Sequence, residues 1–316
     1  MTPPRFHFVF AEPYNASALA KARAIGRVTV LDRPGDTASA DTIRDADALL
    51  IRTASPATRG MMERAPHLKV IGRAGVGLEN VDLDAARERG IVVVYTPAAA
   101  TDAVADLTVG LMIALIRGVV RGDALLRARR FDEGRATCLG VELSELTLGI
   151  IGLGRIGKAV ARRSRHGFGM KVVYHDIVEM GALDFEAAVV DLDRLYAESD
   201  VVSLHVPLTD FSRRMIDDRA LSRFKSGAYL INTARGAVVD HEALARALAA
   251  DGRLAGAALD VFDPEPLPPG HPLGSRSNVI MTPHIGARTH GGLERMNDVI
   301  DDVIGVLRGD PPRNPA

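Results

Sequence analysis

Leu148-Gly149-Ile150-Ile151-Gly152-Leu153-Gly154-Arg155-Ile156-Gly157 passes from an apolar run into three spaced glycines, and Lys158-Ala159-Val160-Ala161-Arg162-Arg163 continues it as a helix. The pattern is strand, tight turn, helix. Gly152 permits the turn, Gly154 lets the backbone approach a pyrophosphate, and Gly157 lets the helix pack close to the strand, with Arg155 and Ile156 between them as further cofactor-binding candidates. The helix start then offers amide donors and a positive dipole end to an anion. A second strand ends at Asp176, roughly 20 residues on, where a carboxylate can accept from a ribose 2′-hydroxyl. Residues 148–176 therefore predict a dinucleotide-binding unit. Asp176 would repel a 2′-phosphate, and Ile177, Val178 and Glu179 supply no cation to hold one, so NAD is the expected cofactor rather than NADP.

Outward from this unit the strand–helix alternation continues. Apolar runs at 148–151, 171–174, 200–204, 228–232, 256–259 and 278–281 predict a complete doubly wound sheet. An earlier series, at 6–10, 27–31, 48–52, 69–73 and 91–95, alternates with short helical pieces at 17–25, 58–65 and 83–89, which predicts a second parallel sheet. At 316 residues two cores are the default. The fold expected is α/β with two doubly wound parallel-sheet domains, a flavodoxin-like substrate domain and a Rossmann NAD-binding domain, with a cleft between them. A long helix opens at Thr101-Asp102, with Pro97 as a candidate hinge before it. The NAD-binding domain is placed at 101–285, inserted into a substrate domain made of 1–100 and 286–316. Residues 292–307 read as one last helix and the Pro-rich residues 309–316 as a poorly ordered end.

Composition narrows the function classes. Hydrophobic content of 47%, 25% charged residues and a formal net charge of −1 suit a globular chain with no pull toward nucleic acid. The single cysteine, Cys138, excludes an intrachain disulfide and suits a reducing compartment, so the cytoplasm is expected. The start at Arg5-Phe6-His7-Phe8 reads as a strand rather than a signal peptide, and the apolar stretch 109–116 is too short for a membrane span. No metal is called for.

Three further motifs sit at the C-terminal ends of predicted strands, where open α/β sheets bind ligands. They are Asn232-Thr233-Ala234-Arg235-Gly236, Asp260-Val261-Phe262-Asp263-Pro264-Glu265-Pro266 and Thr282-Pro283-His284-Ile285-Gly286. Singly, each has a bland reading: His284 as a loop cap, Arg235 as a surface ion pair, Glu265 as an exposed carboxylate. Jointly and in this order the chain resembles the D-isomer-specific 2-hydroxyacid dehydrogenases over nearly its whole length. The chemistry fits hydride transfer at a 2-hydroxy acid. His284 is the candidate acid–base group, Glu265 its orienting partner, and Arg235 a fork for the substrate carboxylate and carbonyl. The resemblance further implies that Asp260 holds the nicotinamide carboxamide. By the same resemblance His205, Val206, Pro207, Thr233, Ala234 and Ala287 line the cofactor cleft.

On the substrate side, Gly72-Arg73-Ala74-Gly75-Val76-Gly77 follows a strand, and its glycines suit backbone amides facing an anion. The family uses this loop, Gly75, Val76 and Gly77, for the substrate carboxylate, and closure of the domains would complete the site. Arg52 and Arg73, at neighbouring strand ends, resemble the pair expected for a second anionic group, as in phosphoglycerate dehydrogenases. A substrate like 3-phosphoglycerate is the first expectation, and glyoxylate or hydroxypyruvate the alternative. A non-catalytic NAD-sensing protein, as in the corepressors that resemble this family, is the reading from another class. Glu265 argues against a formate dehydrogenase, which carries Gln there, and the chain's end soon after the last helix argues against serine feedback through a further domain. Asp106, where Glu is commoner, and Arg288-Thr289-His290-Gly291 depart from the family pattern near the expected cleft. A homodimer is expected from resemblance alone.

Overall fold

In a computed structural model of the chain, residues 6–33 and 41–316 are described; Arg5, at the head of the first strand run, lies outside them. The chain forms two compact units, Met1–Ala100 with Arg288–Ala316, and Thr101–Ala287.

The first unit carries β1 (Phe6–Phe10), β2 (Gly26–Val30), β3 (Ala48–Ile51), β4 (Val70–Arg73) and β5 (Val92–Tyr95). They pair in parallel in the order β2-β1-β3-β4-β5, the flavodoxin-like order. β3 and β4 are buried at every residue, as strands covered on both faces must be. One face packs Leu49, Ile51 and Ile71 against Met61, Met62 and Ala85 of the crossover segments. On the other face Gly72 lies so close to Val303 and Leu50 that a Cβ there would overlap them.

The expected single helix over 292–307 is instead two, His290–Asn297 and Val299–Arg308, meeting at Asp298. Thr289 caps the first through the Gly292 N–H, and the second starts in a β-branched, acidic run of weak helix propensity whose Val299, Ile300 and Val303 are buried. The Pro-rich end is also not loose. The buried Asp302 carboxylate accepts from the N–H groups of Arg313 and Asn314, both at 2.9 Å. Tyr95 N donates to Asn314 O at 3.1 Å and Ala316 N to Val93 O at 3.0 Å, seating the tail beside β5.

The second unit carries β6 (Thr147–Ile151), β7 (Lys171–His175), β8 (Ala188–Val189), β9 (Val201–Leu204), β10 (Ala228–Asn232), β11 (Leu254–Leu259) and β12 (Val279–Met281). All pair in parallel in the order β12-β11-β10-β9-β6-β7-β8, the dinucleotide-binding order extended by one strand. The helices Thr101–Ile116 and Arg155–Phe168 cover one face, packing Val109, Met112 and Val160 on Leu148, Ile150 and Ile231. Leu195, Leu221, Phe224 and Leu244 cover the other against Val202, Leu230 and Leu259. The helices Val119–Arg127 and Phe131–Thr137, which no sequence signal marked, follow the first of these. No single helix among the described residues is long and apolar enough to cross a membrane.

Candidate active site

Register places the motifs of the second unit side by side. His175, Ile151, Leu204, Asn232, Leu259 and Met281 are aligned across six adjacent parallel strands. The next residues, Asp176, Gly152, His205, Thr233, Asp260 and Thr282, therefore leave the sheet at one level. The order of strands reverses between β6 and β9, the place where open α/β sheets form a crevice.

The glycines of the β6 turn each meet a different demand. Gly152 has φ +91°, and a Cβ there would stand 2.7 Å from His205 O. A Cβ on Gly157 would overlap Gly152 O, so the helix sits directly on the turn. Around Gly154 there is open space, and no side chain caps the first turn of Arg155–Phe168. Uncapped amides beside an open glycine fit a pyrophosphate. Arg155 is exposed there and Ile156 half-buried. Asp176 takes the Leu153 N–H at 2.6 Å on one oxygen and the Val178 N–H at 2.9 Å on the other. These bonds orient the carboxylate and leave lone pairs on both oxygens for ribose hydroxyls. Ile177, the residue after Asp176, is apolar and 96% exposed.

The neighbouring wall is largely uncharged. His205, which bonds Ser203 Oγ through Nε2 at 2.9 Å, is pushed down to about 3 by desolvation although part of its surface reaches solvent, and its ring is neutral at ordinary pH. Val206 is half-buried and Pro207 exposed. Thr233 and Ala234 are nearly buried, with Thr233 Oγ1 2.8 Å from Thr108 Oγ1.

Around His284 the loops are fastened to one another. Asp260 is 1% exposed. Its Oδ1 accepts from Thr282 Oγ1 at 2.6 Å and Ile285 N at 2.9 Å, its Oδ2 from Gly286 N at 2.8 Å, and its carbonyl from His284 N at 2.9 Å. This carboxylate frames the turn that presents His284, a role the sequence did not reveal beside the ligand role expected of it. His284 holds φ +50°, an uncommon conformation for a side chain of this size. Its Nδ1 lies 2.8 Å from Glu265 Oε1, and 37% of its side chain is exposed. With Nδ1 engaged, Nε2 is the nitrogen available to a ligand. Ala287, next to the framed turn, is half-buried.

The Arg235 turn is fixed by Asn232, whose Oδ1 accepts from Ala234 N at 3.0 Å while its Nδ2 donates to Arg235 O at 2.9 Å. Arg235 donates through Nη1 to Ala234 O at 2.7 Å. A Cβ on Gly236 would overlap the Phe262–Asp263 peptide, so the Arg235 turn and the Glu265 loop abut directly. Sequence reading gave Asn232, Thr282, Ser203 and Thr108 no roles; their position at aligned strand ends or facing them is the signal that marks them. Asp106 pairs with Arg163 of the helix Arg155–Phe168 at 2.8 Å on the surface.

The substrate-side residues lie in the first unit. Arg73 is not displayed there as a second anion clamp. It is 7% exposed, its Nη1 donates to Ala74 O at 3.2 Å and its Nη2 to Thr53 Oγ1 at 3.4 Å. A Cβ on Gly75, at φ +150°, would fall on its guanidinium. Arg73 thus fills the glycine loop from within. Gly75 O accepts from Thr96 N at 3.1 Å, while Val76 and Gly77 make no backbone hydrogen bond through N–H among the described residues. Arg52 lies over the Tyr14 ring at 4.8 Å and donates Nη2 to Asn297 Oδ1 at 2.7 Å. Its Nε is buried without a hydrogen-bond partner among the described residues. Tyr14 donates to Ile51 O at 2.9 Å, and burial pushes its hydroxyl up. His290 begins the helix His290–Asn297, exposed.

A family model described as D-isomer specific 2-hydroxyacid dehydrogenase, NAD binding domain, matches residues 109–286. A glyoxylate reductase of Thermofilum pendens is 44% identical over 278 residues, 85% of this chain and 81% of that protein. A D-3-phosphoglycerate dehydrogenase of Methanocaldococcus jannaschii is 38% identical over 310 residues, 96% of this chain but 58% of that protein. Among solved structures, a D-lactate dehydrogenase of Aquifex aeolicus complexed with NAD and lactic acid superposes with a TM-score of 0.84 at 32% identity, covering 96% of each chain.

Proposed function

The chain belongs to the D-isomer-specific 2-hydroxyacid dehydrogenase family, an NAD-dependent class of oxidoreductases, and from that premise we propose that it reduces small, unphosphorylated 2-keto acids, glyoxylate and hydroxypyruvate foremost, with NADH. The burial of Arg73 carries this reading. The clamp expected of Arg52 and Arg73 together needs both guanidinium groups displayed, and that of Arg73 is enclosed in its own loop.

Bound nicotinamide supplies the hydride that C2 receives. His284, protonated and held by Glu265 through Nδ1, delivers the matching proton from Nε2 to the keto oxygen, so that the carbonyl becomes a hydroxyl, of D configuration where C2 carries a further carbon. Arg235 forks onto the substrate carboxylate and keto oxygen, orienting the acid and stabilising the charge that gathers on that oxygen. The N–H groups of Val76 and Gly77 are the proposed carboxylate donors of the first unit, and Arg52 is the contact for a C3 substituent. Asp176, an oriented carboxylate that would repel a 2′-phosphate, supports NADH over NADPH.

Arg52 favours 3-phosphoglycerate as the second reading, because its buried Nε still lacks a partner. A homodimer is part of the proposal. Val119, Val120, Leu126, Phe131 and Leu139 are all more than half exposed within one short stretch of the second unit, an apolar surface of the kind that copies of a chain cover. The lone Cys138 suits a reducing cytoplasm.

A panel of 2-keto acids assayed with NADH and NADPH tests the proposal. Turnover of glyoxylate and hydroxypyruvate with NADH is expected to exceed that of phosphohydroxypyruvate by kcat/KM, with Arg52→Ala raising KM for hydroxypyruvate and leaving glyoxylate unchanged. Preference for the phosphorylated acid, abolished by Arg52→Ala, would install the second reading. NADH binding without turnover of any acid would point to the non-catalytic class.

A further inference from the structure

A buried imidazole packs against the loop that carries Glu265. His241 opens the helix His241–Ala247 and is 6% exposed. Its ring stacks on Phe262 with centroids 6.1 Å apart at 29°, and it hydrogen-bonds the Asp263 backbone. Its Nε2 is buried without a partner, so the bond to Asp263 runs from Nδ1–H to the carbonyl, and the ring is the neutral Nδ1–H tautomer. His271 meets the ring edge-on at 6.2 Å. Its Nδ1 accepts from Leu273 N at 3.2 Å, which leaves its Nε2 proton facing Glu242 Oε1 at 3.4 Å.

Burial, more than the charges around it, lowers the pKa of His241. Burial pushes it down first and His271 adds to that, while the Asp263 carbonyl, Asp263 and Asp240 pull the other way; Asp240 is itself paired with Arg214 at 3.1 Å. The Glu265 loop depends on such outside support. Among the described residues no backbone–backbone hydrogen bond ties 263–266, and 40% of the Glu265 side chain is exposed.

We propose that His241 is a positioning residue for the acid–base pair: by stacking on Phe262 and holding the Asp263 carbonyl, it fixes Glu265 within hydrogen-bond reach of His284. The inference rests on the reading of His284 and Glu265 as proton donor and orienting partner. Being 6% exposed, His241 acts through the loop rather than on a ligand. Its effect passes through two consecutive residues of the loop, so it acts on kcat and not on binding.

Three variants test it: His241→Leu, which fills the space without a donor, His241→Gln, which restores an N–H for the Asp263 carbonyl, and Glu265→Gln as the control for the pair. His241→Leu is expected to lower kcat about tenfold, less than the ~100-fold that a full ångström of misplacement can cost. KM for the keto acid and the NADH dissociation constant should hold, and His241→Gln should regain most of kcat. Equal losses in both His241 variants, or wild-type kcat in His241→Leu, would overturn the inference. A Glu265→Gln enzyme with wild-type kcat would instead remove the reading of the pair beneath it.

Discussion

A glycine-rich loop follows β6 in one unit and β4 in the other, and the two loops use glycine for opposite purposes. After β6 the glycines answer to backbone: Gly152 lies against His205 O and Gly157 against Gly152 O, while the space at Gly154 stays open. After β4, Gly75 answers to a side chain of its own loop, since the Arg73 guanidinium occupies the place of a Cβ. The first loop is open at Gly154; the second is filled from inside by a side chain. Glycine spacing marks a tight turn in both cases, but what crowds the glycine decides whether the loop cradles something or encloses it.

The sharpest way to break this contrast is to add a methyl group to the first loop at two points. Gly157→Ala meets backbone that cannot yield, so it should lower the melting temperature and weaken NADH binding about 100-fold, or about 2.7 kcal/mol. Gly154→Ala has room in the free protein and should weaken NADH without moving the melting temperature. If Gly154→Ala binds NADH as the parent does, the open space is not the pyrophosphate seat. Fluorescence titration and calorimetry read both.

A second effect separates the loops by pH. His205, in the wall of the first, titrates near 3 when folded and near 6.5 in an unfolded chain. Its contribution to stability is whole above 6.5 and is lost as pH falls toward 3, because only the unfolded chain takes up the proton. Between pH 6.5 and 5 this amounts to about 2 kcal/mol at most. Urea unfolding of the parent should weaken over that window more than unfolding of His205→Gln, and parallel curves would contradict the burial argument. The second loop, built on a guanidinium, contributes no such slope.

The smallest effect lies in the second loop itself. Gly75→Ala and Arg73→Ser should be non-additive, with a coupling of about 1 kcal/mol in a stability cycle, because the serine vacates the space the new methyl needs. Some strain at φ +150° persists in the double variant. Strict additivity would show that Arg73 is not what Gly75 makes room for.

Sequence alone revealed the two parallel sheets and the strand ends that carry Gly152, Asp176, Arg235, Asp260 and His284, because buried parallel strands read as short apolar runs and ligand positions follow their C-terminal ends. What stayed hidden depends on contacts that side chains make once the chain is folded. Asp302 reaches the tail N–H groups of Arg313 and Asn314, and Arg73 folds into its own glycine loop; neither shows in the hydrophobic period. Asp260 shows the same limit: its place was legible, its three donors from 282–286 were not.

The helix Val299–Arg308 has a consequence for how the chain is made. Val299 and Val303 cover Gly72 of β4, yet more than 220 residues separate them along the chain. On a ribosome that releases the N-terminal end first, the five strands of the first unit emerge with part of one sheet face bare, the part over Gly72, and it stays bare while the whole second unit is synthesised. Thr101–Ala287 has every strand of its sheet in one continuous stretch and can close behind it. The order of birth and the order of completion are therefore reversed, and the half made first is the half that waits.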